Sequence, residues 1–278
     1  MSNVKLDKYA VFGSPIKHSK SPVIHQLFAG QTGQDLSYDA IEVTAEDFIK
    51  SVDTFFAEGG KGLNCTVPLK ELAWQYADNK SQRAEISKAV NTLILQEDGS
   101  IFGENTDGIG LLRDLVINHA INLEGKRILV LGAGGASRGI LGPLLEQLPS
   151  CIFIANRTIS KALDLAHEFS EKGAISGCGY TDLDDKKFDL ILNATSASLS
   201  DQLPPLPEAL LEKNGVCYDL AYGNKPTAFV RWGLEHKAAQ SLDGLGMLVE
   251  QAAEAFYLWR GVRPDTRLVI EQIKIAVD

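Results

Sequence analysis

Short apolar runs alternate with amphipathic stretches from one end of the chain to the other. Tyr9–Phe12, Leu36–Glu42 and Gly62–Thr66 have the length and β-branched or aromatic content of strands. Between them, Ser21 and Pro22 read as the N-cap and first residue of a helix running to about Thr32. Thr44, with Asp47 three residues later, opens another helix in the manner of a capping box, and Pro68 begins a third. Ala89–Gln96 and Ile101–Gly103 form a hairpin around Asp98-Gly99, and a helix follows over Asp107–Asn118.

The second half is more regular. Arg127–Leu131, Cys151–Ala155, Phe188–Asn193 and Val216–Asp219 read as buried parallel strands, with a helix over Thr227–His236 and a Pro-rich surface loop at Leu203–Pro207. Two helices, Gly246–Arg260 and Arg267–Val277, close the chain on either side of Gly261 and Pro264. The alternation predicts an α/β protein. At 278 residues it divides into about two domains, an N-terminal α/β domain followed by a Rossmann-like, doubly wound one, with a cleft between them.

The first strand of the second half runs into Gly132-Ala133-Gly134-Gly135-Ala136-Ser137-Arg138-Gly139, the strand-to-helix turn of a dinucleotide site. Gly132 permits the tight turn, Gly134 lets a pyrophosphate approach the main chain, and free amides at the helix start supply donors. Ser137 stands at the third small position, usually Gly or Ala. The second strand ends in Asn156-Arg157-Thr158, with Lys161 one turn further on. NAD-selective sites carry an acid there to hold the ribose hydroxyls. A guanidinium, a hydroxyl and an ammonium suit a 2′-phosphate instead, which favours NADP. Thr158 or Ser160 also serves to cap the helix.

Composition narrows the remaining classes. A formal charge of −9 argues against a nucleic-acid footprint, and the apolar runs fall short of the roughly 20 residues of a membrane span. Met1–Tyr9 lacks the apolar core of a signal peptide, so a cytoplasmic location is the expectation. Cys65, Cys151, Cys178 and Cys217 have no zinc or redox spacing, and Cys151 and Cys217 sit in apolar strands as buried, reduced thiols. His18, His25, His119, His167 and His236 form no ligand motif; no metal is expected, and His18 and His25 are assigned to structure or the helix surface. A homodimer is left open.

Three polar clusters lie at element ends of the first half: Ser14–Pro22, Asn64–Lys70 and Asn105-Thr106-Asp107, with Asn91-Thr92 close by in sequence. Small hydroxyls and amides around one Lys and one Asp suit a polyhydroxylated, carboxylated small molecule rather than an apolar one. Each cluster also has an ordinary reading as caps and turns.

These segments together resemble the shikimate dehydrogenase family. The resemblance runs through Ser19–Pro22, Asn64–Lys70, Ala89–Thr92, Asn105–Gly108, Gly132–Ser137, Asn156–Thr158, Asn193–Ser196 and Asp243–Val249 with Gln251. It implies NADP-linked, reversible reduction of 3-dehydroshikimate to shikimate in aromatic amino-acid biosynthesis. It makes Lys70 and Asp107 the catalytic pair. Ser19 and Ser21, helped by Tyr222, would bind the substrate carboxylate, while Thr66, Asn91, Asp107 and Gln251 hold the ring hydroxyls. Gly132, Ala133, Gly134, Gly135 and Ala136 would receive the pyrophosphate, and Asn156, Arg157, Thr158 and Lys161 the 2′-phosphate. Leu220 and Gly244 would lie near the nicotinamide. The terminal helices are implied to return to the first domain, dividing the chain into 1–106 with 244–278 for substrate and 107–243 for NADP(H). Three positions depart from the family pattern: Lys161 where Arg is common, Leu220 where Met is common, and Gln82 where an acid is frequent.

Removing hydride from a secondary alcohol also requires removal of its hydroxyl proton, so an acid/base must stand at that oxygen. Lys70 is the expected donor in the reducing direction and acceptor in reverse, oriented by Asp107. Three other readings remain: a quinate/shikimate dehydrogenase of broader substrate and cofactor use, a methylenetetrahydrofolate dehydrogenase of similar architecture, and a non-catalytic dinucleotide or metabolite sensor.

Overall fold

The computed structural model describes residues 6–275, which form two compact units. One takes in the chain up to Gly110 and again from Val249; the other runs Leu111–Leu248. The divisions thus fall a few residues downstream of 106/107 and 243/244, inside helices rather than at their starts.

The first unit is built from β1 (Asp7–Gly13), α1 (Ser21–Thr32), β2 (Leu36–Glu42), α2 (Phe48–Ala57), β3 (Gly60–Cys65), α3 (Lys70–Tyr76), β4 (Asn79–Lys80), α4 (Gln82–Ser87), β5 (Thr92–Leu95), β6 (Ile101–Glu104) and the start of α5 (Asp107–Arg113). Its sheet has the order β2-β1-β3-β5-β6-β4. β1 pairs in parallel with β2 and β3, whereas β5 runs antiparallel to β3 and β6, so the sheet is mixed. Phe12, Phe48, Val52, Leu63, Leu69 and Leu93 belong to its core.

Two helix starts differ from the sequence expectation. Ser21 does not cap α1: it is the first helical residue, Lys20 holds the cap position, and the Ser19 hydroxyl accepts the Ser21 N–H at 3.3 Å. Pro68 does not begin α3, because Leu69 N–H closes a turn onto the Thr66 carbonyl at 2.8 Å and the helix starts at Lys70. Thr44 and Asp47 do interact as a box, with Asp47 N–H donating to Thr44 Oγ1, but in a turn just ahead of α2.

The second unit contains β7 (Arg127–Leu131), α6 (Gly135–Glu146), β8 (Cys151–Ala155), α7 (Ile159–Phe169), β9 (Ile175–Cys178), β10 (Phe188–Asn193), β11 (Leu211–Asp219), α8 (Ala228–Glu235) and β12 (Gln240–Leu242). α5 leads into it through a π-helical turn at Asp114–Asn118. The sheet order β12-β11-β10-β7-β8-β9 is parallel throughout. Counted from β7, this is the 3-2-1-4-5-6 order of doubly wound nucleotide-binding sheets. Ile128, Leu129, Val130 and Leu131 are all fully buried, as expected for a central strand covered on both faces. Cys217 is buried as expected, but Cys151, the first residue of β8, is only half-buried.

α9 (Leu245–Arg260) and α10 (Thr266–Ile275) end the described chain; the expected end of the last helix at Val277 lies outside it. Trp259 donates to the Leu93 carbonyl at 3.1 Å, and the Arg260 guanidinium pairs with Asp7 at 2.5 Å, tying the end of α9 to the first sheet. No helix among the described residues is long and apolar enough to cross a membrane.

Candidate active site and dinucleotide crevice

In the first unit, the end of β3, the start of α3, the start of β5 and the start of α5 bring one polar cluster together. Lys70 is the first residue of α3 and Asp107 the first of α5. Lys70 Nζ donates to Asp107 Oδ2 at 2.5 Å, with both side chains partly shielded from solvent. The other carboxylate oxygen of Asp107 accepts Asn91 Nδ2 at 2.8 Å, and its own N–H donates to Asn105 Oδ1 at 3.1 Å. Both oxygens and the backbone of Asp107 are therefore fixed.

Asn91 is the centre of this cluster and is buried. Its amide also donates to Thr106 Oγ1 at 2.9 Å and reaches Gln251 Oε1 at 3.4 Å, while its Oδ1 accepts the Thr106 N–H at 2.9 Å. Asn64, at the end of β3, donates to the Asn91 carbonyl at 3.0 Å and accepts the Tyr38 hydroxyl at 2.7 Å. Burial pushes the Tyr38 phenol well above its ordinary value, so it remains a donor, and the nearby Ser21 side chain opposes that rise. Among the residues expected at a substrate site, Lys70, Asn91, Asp107 and Gln251 are thus directly linked, and Ser21 lies near Tyr38, which joins the network through Asn64. Ser19 lies beside Ser21, and Thr66 is half-buried at the end of β3. Asn64 and Thr106, members of the polar clusters seen in the sequence but assigned no individual role there, belong to the network, and so does Tyr38, which the sequence did not single out.

Beneath Tyr38, the His25 ring stacks at 4.1 Å with an interplanar angle of 6°. His25 is buried among Phe28, Phe256 and Trp259, and among the described residues neither ring nitrogen has a hydrogen-bond partner. Desolvation pushes its pKa down to about 3, so the imidazole is neutral. Its assignment to structure fits this aromatic nest.

In the second unit, the loops following β7, β8, β10 and β11 lie at the carboxyl ends of the strands, where doubly wound sheets bind ligands. Gly132 adopts φ +101°, and a Cβ there would press on the Ala194 carbonyl at 3.1 Å, which fixes glycine at this turn. Ser137 Oγ donates to the Gly132 carbonyl at 2.7 Å, bracing the turn from inside the helix. By contrast, the Cβ positions of Gly134 and Gly135 face open space at the start of α6, leaving room for a phosphate against free amides.

Ala133 and Ala136 belong to the same turn. Asn156 Nδ2 donates to the Thr158 carbonyl at 2.9 Å, which shapes the turn after β8. Arg157, Thr158 and Lys161 are exposed, and Thr158 holds the N-cap position of α7 without a side-chain cap bond. These donors and cations, with no acid at the strand end, fit a phosphorylated dinucleotide. Across the switch point, Leu220 N–H donates to the Asn193 carbonyl at 2.9 Å and Gly244 N–H to the Ala221 carbonyl at 3.1 Å. Tyr222 is half-buried in the same segment. Among the described residues, no three His, Cys, Asp or Glu side chains are grouped to hold a metal.

The sheet order, glycine turn and basic strand end define an α/β protein of the dinucleotide-binding class. Comparison with known proteins narrows this further. Residues 11–93 match the model for the shikimate dehydrogenase substrate binding domain, 114–201 that for shikimate/quinate 5-dehydrogenase, and 244–274 the shikimate 5′-dehydrogenase C-terminal domain. A shikimate dehydrogenase (NADP(+)) of Methylococcus capsulatus is 61% identical over 268 residues, covering 96% of each chain. Among solved structures, the Ael1 enzyme of Pseudomonas putida superposes with a TM-score of 0.90 at 49% identity, covering 98% of this chain and 100% of its own. A Thermus thermophilus shikimate 5-dehydrogenase in complex with NADP(H) and shikimate gives 0.86 at 32% identity, covering 98% and 100%. The chain belongs to the shikimate dehydrogenase family.

Proposed function

We propose that this protein is a cytoplasmic, NADP-dependent shikimate dehydrogenase, catalysing the reversible reduction of 3-dehydroshikimate to shikimate on the route to chorismate and the aromatic amino acids. The observation that carries this reading is the Lys70–Asp107 pair, held in place by Asn91, within a chain of this family. When bound, NADP supplies the hydride acceptor or donor. Lys70 holds the proton and gives it to the carbonyl oxygen during reduction, or takes it from the hydroxyl during oxidation. Asp107 orients the ammonium and stabilises its charge, and Asn91 prevents the carboxylate from turning away.

Ser19 and Ser21, with Tyr222, are assigned to the substrate carboxylate, and Thr66, Asn91, Asp107 and Gln251 to the ring hydroxyls. The glycine turn from Gly132 to Ala136 binds the pyrophosphate, Asn156, Arg157, Thr158 and Lys161 bind the 2′-phosphate, and Leu220 and Gly244 flank the nicotinamide. A homodimer is the oligomer considered, and sedimentation decides between it and a monomer.

The match to a model covering both shikimate and quinate enzymes keeps a broader substrate range as a second reading. Rates for shikimate and quinate, each paired with NADP+ and NAD+, separate the two. Turnover concentrated in the shikimate–NADP+ pairing supports the proposal. Comparable quinate or NAD+ turnover moves the protein to the broader group, and no turnover in any pairing rejects both.

A further inference from the structure

Asp219, the last residue of β11, is fully buried, and among the described residues no cation pairs with it. Its carboxylate instead receives four neutral donors, two on each oxygen. Oδ1 accepts Asn193 Nδ2 and Ala221 N–H, both at 3.1 Å. Oδ2 accepts the hydroxyls of Ser198 and Thr227, both at 2.6 Å.

The donor directions are set from outside. Ser198 Oγ itself accepts the second Asn193 Nδ2 proton at 3.0 Å, and Thr227 Oγ1 accepts the Val230 N–H at 3.2 Å. Each hydroxyl therefore has its proton free for Asp219. With both oxygens doubly occupied, the network fits an ionised carboxylate and leaves no lone pair for a proton. Burial raises the Asp219 pKa above the ordinary carboxylate value, and the four donors counter that rise only in part.

This buried anion sits at the carboxyl end of the sheet half that does not hold the adenosine. The basic strand end Asn156–Lys161 claims the β7–β8 side for the adenosine 2′-phosphate, so the nicotinamide half falls over β10 and β11, beside Leu220. A nicotinamide ring carries a positive charge when oxidised and none when reduced. We infer that Asp219 is an electrostatic tuning residue that selects the oxidised over the reduced cofactor through its uncompensated buried charge. The inference rests on the NADP reading above.

The test is the pair of dissociation constants for NADP+ and NADPH, measured by calorimetry on wild type, Asp219→Asn and Ser198→Ala. Removing the charge is expected to weaken NADP+ relative to NADPH by on the order of ten-fold, the size of one charge acting across a partly screened interior. Ser198→Ala, which loosens the network but keeps the charge, leaves the ratio at its wild-type value. Equal weakening of both forms by Asp219→Asn, or an unchanged ratio, overturns the inference and makes Asp219 a loop anchor only. If Asp219→Asn does not fold, Asp219→Ser removes the same charge while leaving room for a water among the donors. A wild-type protein that binds neither form rejects the cofactor reading itself, and this inference with it.

Discussion

Lys70 Nζ lies 2.5 Å from Asp107 Oδ2, and each residue opens a different helix. An exposed ion pair of two flexible side chains contributes little. Here one partner is immobilised, because Asn91 holds the second carboxylate oxygen of Asp107 and Asn105 its backbone N–H. The pair is therefore held in one geometry, as the acid/base role proposed for it requires.

Lys70→Ala should lower turnover by about 10²–10⁴, the usual contribution of a general acid–base group, with NADP+ affinity unchanged. Steady-state rates with calorimetric binding check this. Retained turnover with only a raised KM for shikimate would make Lys70 a binding residue.

Asn91→Ala removes a donor from Asp107 and an acceptor from the buried Thr106 N–H. A buried group left without a partner costs about 1–3 kcal/mol, so urea unfolding should show that loss together with reduced turnover. Full stability in the variant would show that the network relaxes around the gap.

Arg157→Ala should weaken NADP+ by about ten- to hundredfold, as expected for losing charged hydrogen bonds to a phosphate, and leave NAD+ binding nearly unchanged. Titrations with both cofactors separate the cases. Equal weakening of the two would remove Arg157 from the 2′-phosphate site.

His25 links stability to pH. A free histidine takes up its proton near pH 6.5, whereas buried His25 does so only near 3. Between these values the unfolded chain binds the proton and the native one does not, so stability falls as pH drops, by about 1.4 kcal/mol per unit. Above pH 6.5 His25 contributes no slope. His25→Phe keeps the ring stack and should shrink the stability difference between pH 7 and pH 5 by roughly 2 kcal/mol in urea melts. An unchanged difference would assign the acid sensitivity elsewhere.

The second sheet was legible because its strands are continuous apolar runs: Arg127–Leu131, Cys151–Ala155 and Phe188–Asn193 coincide with β7, β8 and β10. β9 escaped the same reading because Ser176 and Gly177 break its pattern. Gly177 is there because α7 packs so closely that a Cβ would run into the Ala162 backbone, a tertiary demand with no local signature. The polar clusters were visible as residue types, and the family resemblance picked out Lys70 and Asp107. The hydrogen bonds joining Tyr38, Asn64 and Asn91 were not visible, since they connect β2, β3 and the start of β5 through sheet register. Asp219 likewise reads as an ordinary strand end until Ser198, 21 residues before it, and Thr227, at the cap of α8, converge on it.

The proposed reaction is hydride transfer between NADP(H) and shikimate. The most direct measurement supplies 3-dehydroshikimate with NADPH deuterated at the transferable position and analyses the product by mass spectrometry and NMR. The expected product is shikimate carrying one deuterium on the newly formed carbinol carbon, lost with Lys70→Ala. Unlabelled shikimate, or no reduction by the wild-type protein, would contradict it.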